Sequence, residues 1–218
     1  MEPKQILGSF RCTAAGSFMQ VIFITLLLVI GEVQNAGAQR IWETRKGTIR
    51  SQGNLGPGIM FAQKSVSAYL NGEMEIFFED RFAYTGAICI SFVTIPKDRE
   101  GIRVNDAIFT GANYHFLKPS RWDPYVGITP GVALVRAAYK SGDGIKLTPF
   151  SLAPVVGAQF GCNYYVLSFM HFFVKAQVVA GQMFSTLPAS KRLDELKIMA
   201  GLGWNLRLWK PKKVEVWN

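Results

Sequence analysis

Two histidines, His115 and His171, stand among the 218 residues. An imidazole does chemistry when a nucleophile or a carboxylate lies within hydrogen-bond reach. His115 is followed by Phe116 and Leu117, and His171 by Phe172 and Phe173. Ser168 comes three residues before His171, which in an extended chain puts it on the opposite face. Neither position spells out a nucleophile with its base. Four charges recur inside apolar segments: Glu73, Glu75, Lys175 and Arg207. Two acids and two bases facing one enclosed space can form an ion path, a catalytic cluster, or pairs that neutralise each other. The last is favoured, because an isolated charge taken out of water is costly. Three cysteines are too few for a disulfide scaffold or a four-ligand zinc module. Cys89 and Cys162 fall on opposite faces of strands that are not neighbours, so both read as free thiols. The Gly-rich stretch 53–58 has no phosphate-loop lysine. No catalytic, cofactor-binding or metal residue is therefore assigned, and no cofactor is expected. Glu73, Glu75, Asn113, His115, His171, Lys175 and Arg207 are read as one structural polar cluster.

Positioning that cluster requires strands. Hydrophobic residues make up 49% of the chain and charged residues 18%, the reverse of a disordered composition. Residues 1–38 carry Lys4 and Arg11, then an apolar run over 18–30, then Ala36-Gly37-Ala38, the pattern of a secretory signal peptide. A transmembrane anchor is the alternative, and the run is short for it. Beyond this segment, apolar residues alternate with small or polar ones over 53–61, 68–78, 82–92, 108–116, 126–134, 150–160, 170–184 and 198–208. Those eight segments are longer than the five or six residues typical of soluble strands and suit a bilayer. Short turns at 79–81, 117–123 and 161–164 alternate with longer loops at 94–105, 138–148 and 185–196. That rhythm predicts an all-β, eight-stranded antiparallel up-and-down transmembrane barrel, with both termini and the short turns in the periplasm. Phe78, Phe82, Phe92, Tyr114, Phe116, Phe150, Phe160, Phe172, Phe184 and Trp204 supply lipid-facing aromatics. The expected organisation is a signal peptide (1–38), an N-terminal periplasmic segment (39–52), the barrel (53–209) and a basic tail (210–218).

The net charge of +9 sits largely at the ends, with Arg40, Arg45, Lys46 and Arg50 before the barrel and Lys210, Lys212 and Lys213 after it. Bases are not interleaved with aromatics on one face, so a nucleic-acid groove is not expected. Anionic lipid headgroups or an acidic partner fit better.

The stretch Asn113-Tyr-His-Phe-Leu-Lys-Pro-Ser-Arg-Trp-Asp-Pro-Tyr-Val-Gly-Ile-Thr-Pro-Gly-Val132 resembles the small eight-stranded outer-membrane barrels common in Bacteroidota. The strand Gly201-Leu-Gly-Trp-Asn-Leu-Arg-Leu208 is similar to the terminal signal read by the barrel insertion machinery, though here the chain runs on to Asn218. The resemblance implies an outer-membrane location in a Gram-negative bacterium and contact with outer-membrane lipids, the insertion machinery and envelope proteins. It is specific for architecture and nearly silent on activity. Some barrels of this size are lipid A deacylases with a Ser two residues after the His, a motif missing here. The function expected is a non-enzymatic anchor or interaction module, alone or within an envelope or secretion complex. A narrow passive channel is the alternative. A secreted lipocalin-like ligand binder is less favoured, because it would need an apolar lumen and a polar exterior.

Overall fold

The computed structural model describes residues 44–96, 101–142, 144–184 and 191–208. The signal-peptide and basic-tail readings therefore lie outside the described residues. Ten strands form: β1 (Thr48–Met60), β2 (Ser65–Phe77), β3 (Phe82–Pro96), β4 (Gly101–His115), β5 (Trp122–Ser141), β6 (Gly144–Leu147), β7 (Ser151–Tyr165), β8 (Met170–Met183), β9 (Lys191–Arg192) and β10 (Glu195–Arg207). Among the described residues there is no helix. Eight long strands pair antiparallel in chain order, and β10 pairs with both β8 and β1, so the sheet closes. The short β6 only folds back on the end of β5, and β9 on the end of β8. The expected eight-stranded antiparallel barrel is the fold observed.

Closure sets the geometry. Along paired residues, Ile49 leads to Ile76, Tyr84, Ala112, Ile128, Ala158, Val178, Leu196 and back to Ile59, ten residues further up β1. Such a stagger goes with strands tilted about 35–45° to the axis. All the residues on that path face outward, and the exterior is largely apolar: Ile128 is 66% exposed and Leu152 67%. Around the end that carries the short turns runs a chain of touching rings, Phe78–Phe82–Tyr114–Phe116, with Trp122–Tyr164 further along.

Several boundaries differ from the sequence reading. β1 begins at Thr48, so Thr48–Gln52 belong to the barrel and not to a periplasmic segment. Their alternation is real but low in contrast, since the outward residues there include Ser51. Parts of the expected loops are strand: β3 runs to Pro96, β4 starts at Gly101, and β5 continues to Ser141 before turning into β6. These extensions satisfy backbone groups beyond the barrel wall, a need that hydropathy does not report.

β3 and β4 pair from Phe82↔Tyr114 only as far as Cys89↔Ala107. Above that rung β3 stays with β2, and β4 with β5. Side chains bridge the seam: Ser91 donates to Asp106 Oδ1 from its amide (2.8 Å) and its hydroxyl (2.9 Å), and the Asn105 amide donates to Ser91 Oγ (3.0 Å).

Candidate functional site

Inward positions are wide enough for side chains to meet across an eight-stranded barrel. Glycines on the inner face make room for the largest of them. A Cβ on Gly161 would lie 2.6 Å from the Tyr125 ring, and one on Gly203 would strike the His171 ring. Of the described residues, the buried charges are Arg45, Arg50, Lys175 and Lys197 against Glu73, Glu75, Asp123 and Glu195, an even balance apart from the histidines.

At the short-turn end Arg50 is the hub. Its guanidinium donates to Glu75 Oε2 (2.6 Å), Asp123 Oδ2 (2.9 Å), Asn205 Oδ1 (3.3 Å) and the Tyr165 hydroxyl, and lies over the Phe77 ring. His115 Nδ1 donates to Asp123 Oδ1 at 2.8 Å, while its Nε2 stands 3.7 Å from Glu75. Asn113 donates its amide to Glu75 and accepts from Gln159 (2.8 Å). His171 lies beside Gln52 (3.0 Å) and Asn205 (3.3 Å), ringed by amides rather than carboxylates. Arg45 closes this end. It pairs with Asp123 (2.9 Å) and donates to the carbonyls of Asp80 and Leu117, tying two turns together. A cavity of about 20 Å³ between Arg45, Thr48, Arg50, Phe77, Tyr165 and Asn205 has room for one water.

Further in, Lys175 pairs with Glu73, which also accepts from Thr85 (3.1 Å). Higher still, Lys197 lies 3.5 Å from Glu195 and over the Tyr69 ring, and Asn105 donates to both Glu195 (3.2 Å) and the Tyr69 hydroxyl (3.0 Å). Beyond that layer the far end is apolar, filled by Met60, Ile102, Val135, Ala137, Met183 and Leu193.

Of the seven residues read as one cluster, the structure brings Glu75, Asn113 and His115 together. Glu73 and Lys175 form a separate pair, and His171 sits apart among amides. Arg207 is not in the lumen: it is exposed at the last position of β10, opposite Thr48. Its parity matches the buried Gly203 and Asn205, but the strand has left the lumen by then. Arg45 and Arg50, read as part of a basic end suited to anionic headgroups or an acidic partner, are instead buried inside. Asp123 and Tyr165 went unnoticed because each sits next to a turn. Glu195 and Lys197 went unnoticed because β10 starts earlier than its most contrasted stretch. The signal that could have found them is the same parity, extended two or three residues past each apolar stripe.

No protein-family model matches the sequence, and no curated protein matches it significantly. Solved structures similar in shape include the N-terminal β-barrel domain of Pseudomonas aeruginosa OprF (17% identity, 74% of this chain and 98% of that one, TM-score 0.46). P. aeruginosa OprG is another (12% identity, 75% and 98%, TM-score 0.49), as is Ail of Yersinia pestis (12%, 74% and 99%, TM-score 0.45). The barrel's own surface decides its solvent. Below the β3–β4 seam the closed sheet leaves no backbone edge to satisfy in lipid, and only an apolar medium suits the exterior there. The chain is a transmembrane β-barrel of the outer-membrane type. Single-chain barrels with an even strand number, an apolar band and an aromatic girdle belong to bacterial outer membranes, so the outer membrane of a Gram-negative bacterium is where this chain sits.

Proposed function

We propose that this barrel is a non-enzymatic, non-conducting anchor or interaction module of the outer membrane, of the kind found in Bacteroidota, alone or within an envelope or secretion complex. One observation carries the reading: among the described residues, the inward side chains are buried at every level of the lumen. The Arg50 hub and Arg45 occupy the short-turn end, paired charges occupy the middle, and an apolar plug occupies the far end. An ion would have to break charge pairs at one end and shed its hydration at the other, and both are expensive. Both histidines are fully buried within this packing, which leaves no room for a substrate beside them. What the barrel offers to partners is its two rims and its lipid-facing wall. The short-turn end, where β1 begins and β10 ends, faces the periplasm in this reading, and the insertion machinery takes β10 as its signal.

Planar-bilayer recording on the refolded barrel tests this. No steady conductance is expected over a wide voltage range. Single-channel steps of reproducible size would overturn the reading in favour of a narrow channel.

A further inference from the structure

Just below the seam between β3 and β4, Cys89 on β3 meets Lys197 on β10, with Nζ 3.0 Å from Sγ. These strands are not neighbours, since β1 and β2 lie between them. The contact therefore spans the lumen. Both side chains are buried, and the ammonium is held over the rings of Tyr69 (4.1 Å) and Phe109 (5.5 Å). Glu195 stands 3.5 Å from the same nitrogen, and its Oε1 is buried with no hydrogen-bond partner. A thiol, an amine and a carboxylate with spare accepting capacity thus share one small, buried site. Cys89 is also the last rung of the β3–β4 ladder. Above it β3 and β4 no longer pair backbone to backbone, and the Ser91 and Asp106 side chains bridge the seam.

We propose that Cys89 and Lys197 form a peroxide-responsive cross-link site that closes to a sulfenamide and staples β3 to β10 across the lumen. Hydrogen peroxide oxidises the Cys89 thiol to a sulfenic acid and is itself reduced to water. Glu195 takes one proton from the Lys197 ammonium. The freed nitrogen lone pair attacks Sγ, the S–O bond breaks, and the departing hydroxide leaves as water with the proton held by Glu195. The second proton lost from nitrogen goes to solvent. In sum, one thiol, one ammonium and one peroxide give one S–N bond, two waters and one proton. Without the amine, the sulfenic acid would climb to the irreversible sulfinic and sulfonic acids.

The test uses the full barrel isolated in detergent from native membranes. It is treated with hydrogen peroxide, quenched, denatured, alkylated, digested and sequenced by tandem mass spectrometry. A Lys118→Cys variant, with its exposed thiol, sets the dose. Expected is a Cys89–Lys197 peptide pair lighter by two hydrogens, uncleaved by trypsin at Lys197 and opened by dithiothreitol. In Lys197→Gln the pair should be absent and Cys89 sulfinic acid should take its place. Should that variant fail to fold, Glu195→Gln keeps both partners and should close about tenfold more slowly or worse. The proposal is overturned if wild-type Cys89 goes to sulfinic acid with no cross-link. It is equally overturned if Cys89 remains a thiol at a dose that consumes the cysteine at position 118.

Discussion

Replacing Arg50 by Met removes the hub of the short-turn end while keeping most of its volume. Arg50 serves two carboxylates, but they do not lose equally. Asp123 keeps Arg45 at 2.9 Å and His115 at 2.8 Å. Glu75 keeps only the Asn113 amide and a distant imidazole at 3.7 Å. One buried carboxylate, not two, is therefore left without compensation. Removing one partner of a buried pair costs about 3–5 kcal/mol, and that is the loss expected here. An exposed cation gives the comparison: Lys46→Met should stay within about 0.5 kcal/mol of wild type. Arg50→Met/Glu75→Gln removes the orphaned charge as well and should recover about 2 kcal/mol of the loss. The assay is urea unfolding of the barrel in lipid vesicles, followed by tryptophan fluorescence and by the mobility difference between folded and boiled protein. Two outcomes would refute the reasoning. One is an Arg50→Met loss within about 1 kcal/mol of Lys46→Met at equal slope. The other is a double variant no more stable than the single. Either would mean that water reaches Glu75 and that the lumen is wet.

Three further expectations use the same unfolding measurement. Gly161→Val pushes a side chain into the Tyr125 ring and should cost about 1–3 kcal/mol, whereas Gly72→Val, with nothing within 4 Å outside the wall, should be close to neutral. Ile128→Arg, on the lipid face well away from either rim, should cost about 2–4 kcal/mol, and Leu117→Arg in a turn should cost almost nothing. Burial pushes the Asp80 carboxyl up, but the Thr44 hydroxyl, the Lys46 and Arg45 amides and the Arg45 charge outweigh it and hold the carboxyl below its ordinary value. A lowered folded-state value stabilises in full above the unfolded value of about 3.9 and fades as pH falls below it. Asp80→Asn should thus be less stable than wild type at neutral pH, and the gap should close on acidification. A gap that persists in acid would mean that the amide's shape, not the lost charge, matters.

Period-two alternation made the fold legible. Every one of the eight strands announces itself through a stripe such as Ile198, Ala200, Leu202, Trp204 and Leu206, because one wall of the sheet meets lipid and the other does not. Where contrast fades, the stripe fades with it. Ser51 and Gly53 face outward beside inward Arg50 and Gln52, and a lipid-facing serine looks no more apolar than its neighbours. Arg50 was therefore lost among the bases that precede it. Asp123 was lost in a turn-like string, Lys-Pro-Ser-Arg-Trp-Asp, although the strand starts at Trp122.

Alternation assigns a face but says nothing of height, and charge pairing depends on height. Glu73 on β2 meets Lys175 on β8 only because the sheet closes with a stagger of ten residues, which lifts each successive strand along the barrel axis. Counting strands alone makes Arg207 a near neighbour of β2. Adding the stagger leaves Arg207 below the lumen floor, opposite Thr48, and gives Glu75 to Arg50 instead. Arg45, Arg50, Glu75 and Asp123 meet at the short-turn end, Glu73–Lys175 and Glu195–Lys197 pair above them, and Met60, Ile102, Val135 and Met183 pack at the other end. A lumen that is polar at one end and apolar at the other thus arises from strands that each look similarly alternating. The shear is a quantity that hydropathy does not carry, and it decides which inward residues meet across the lumen.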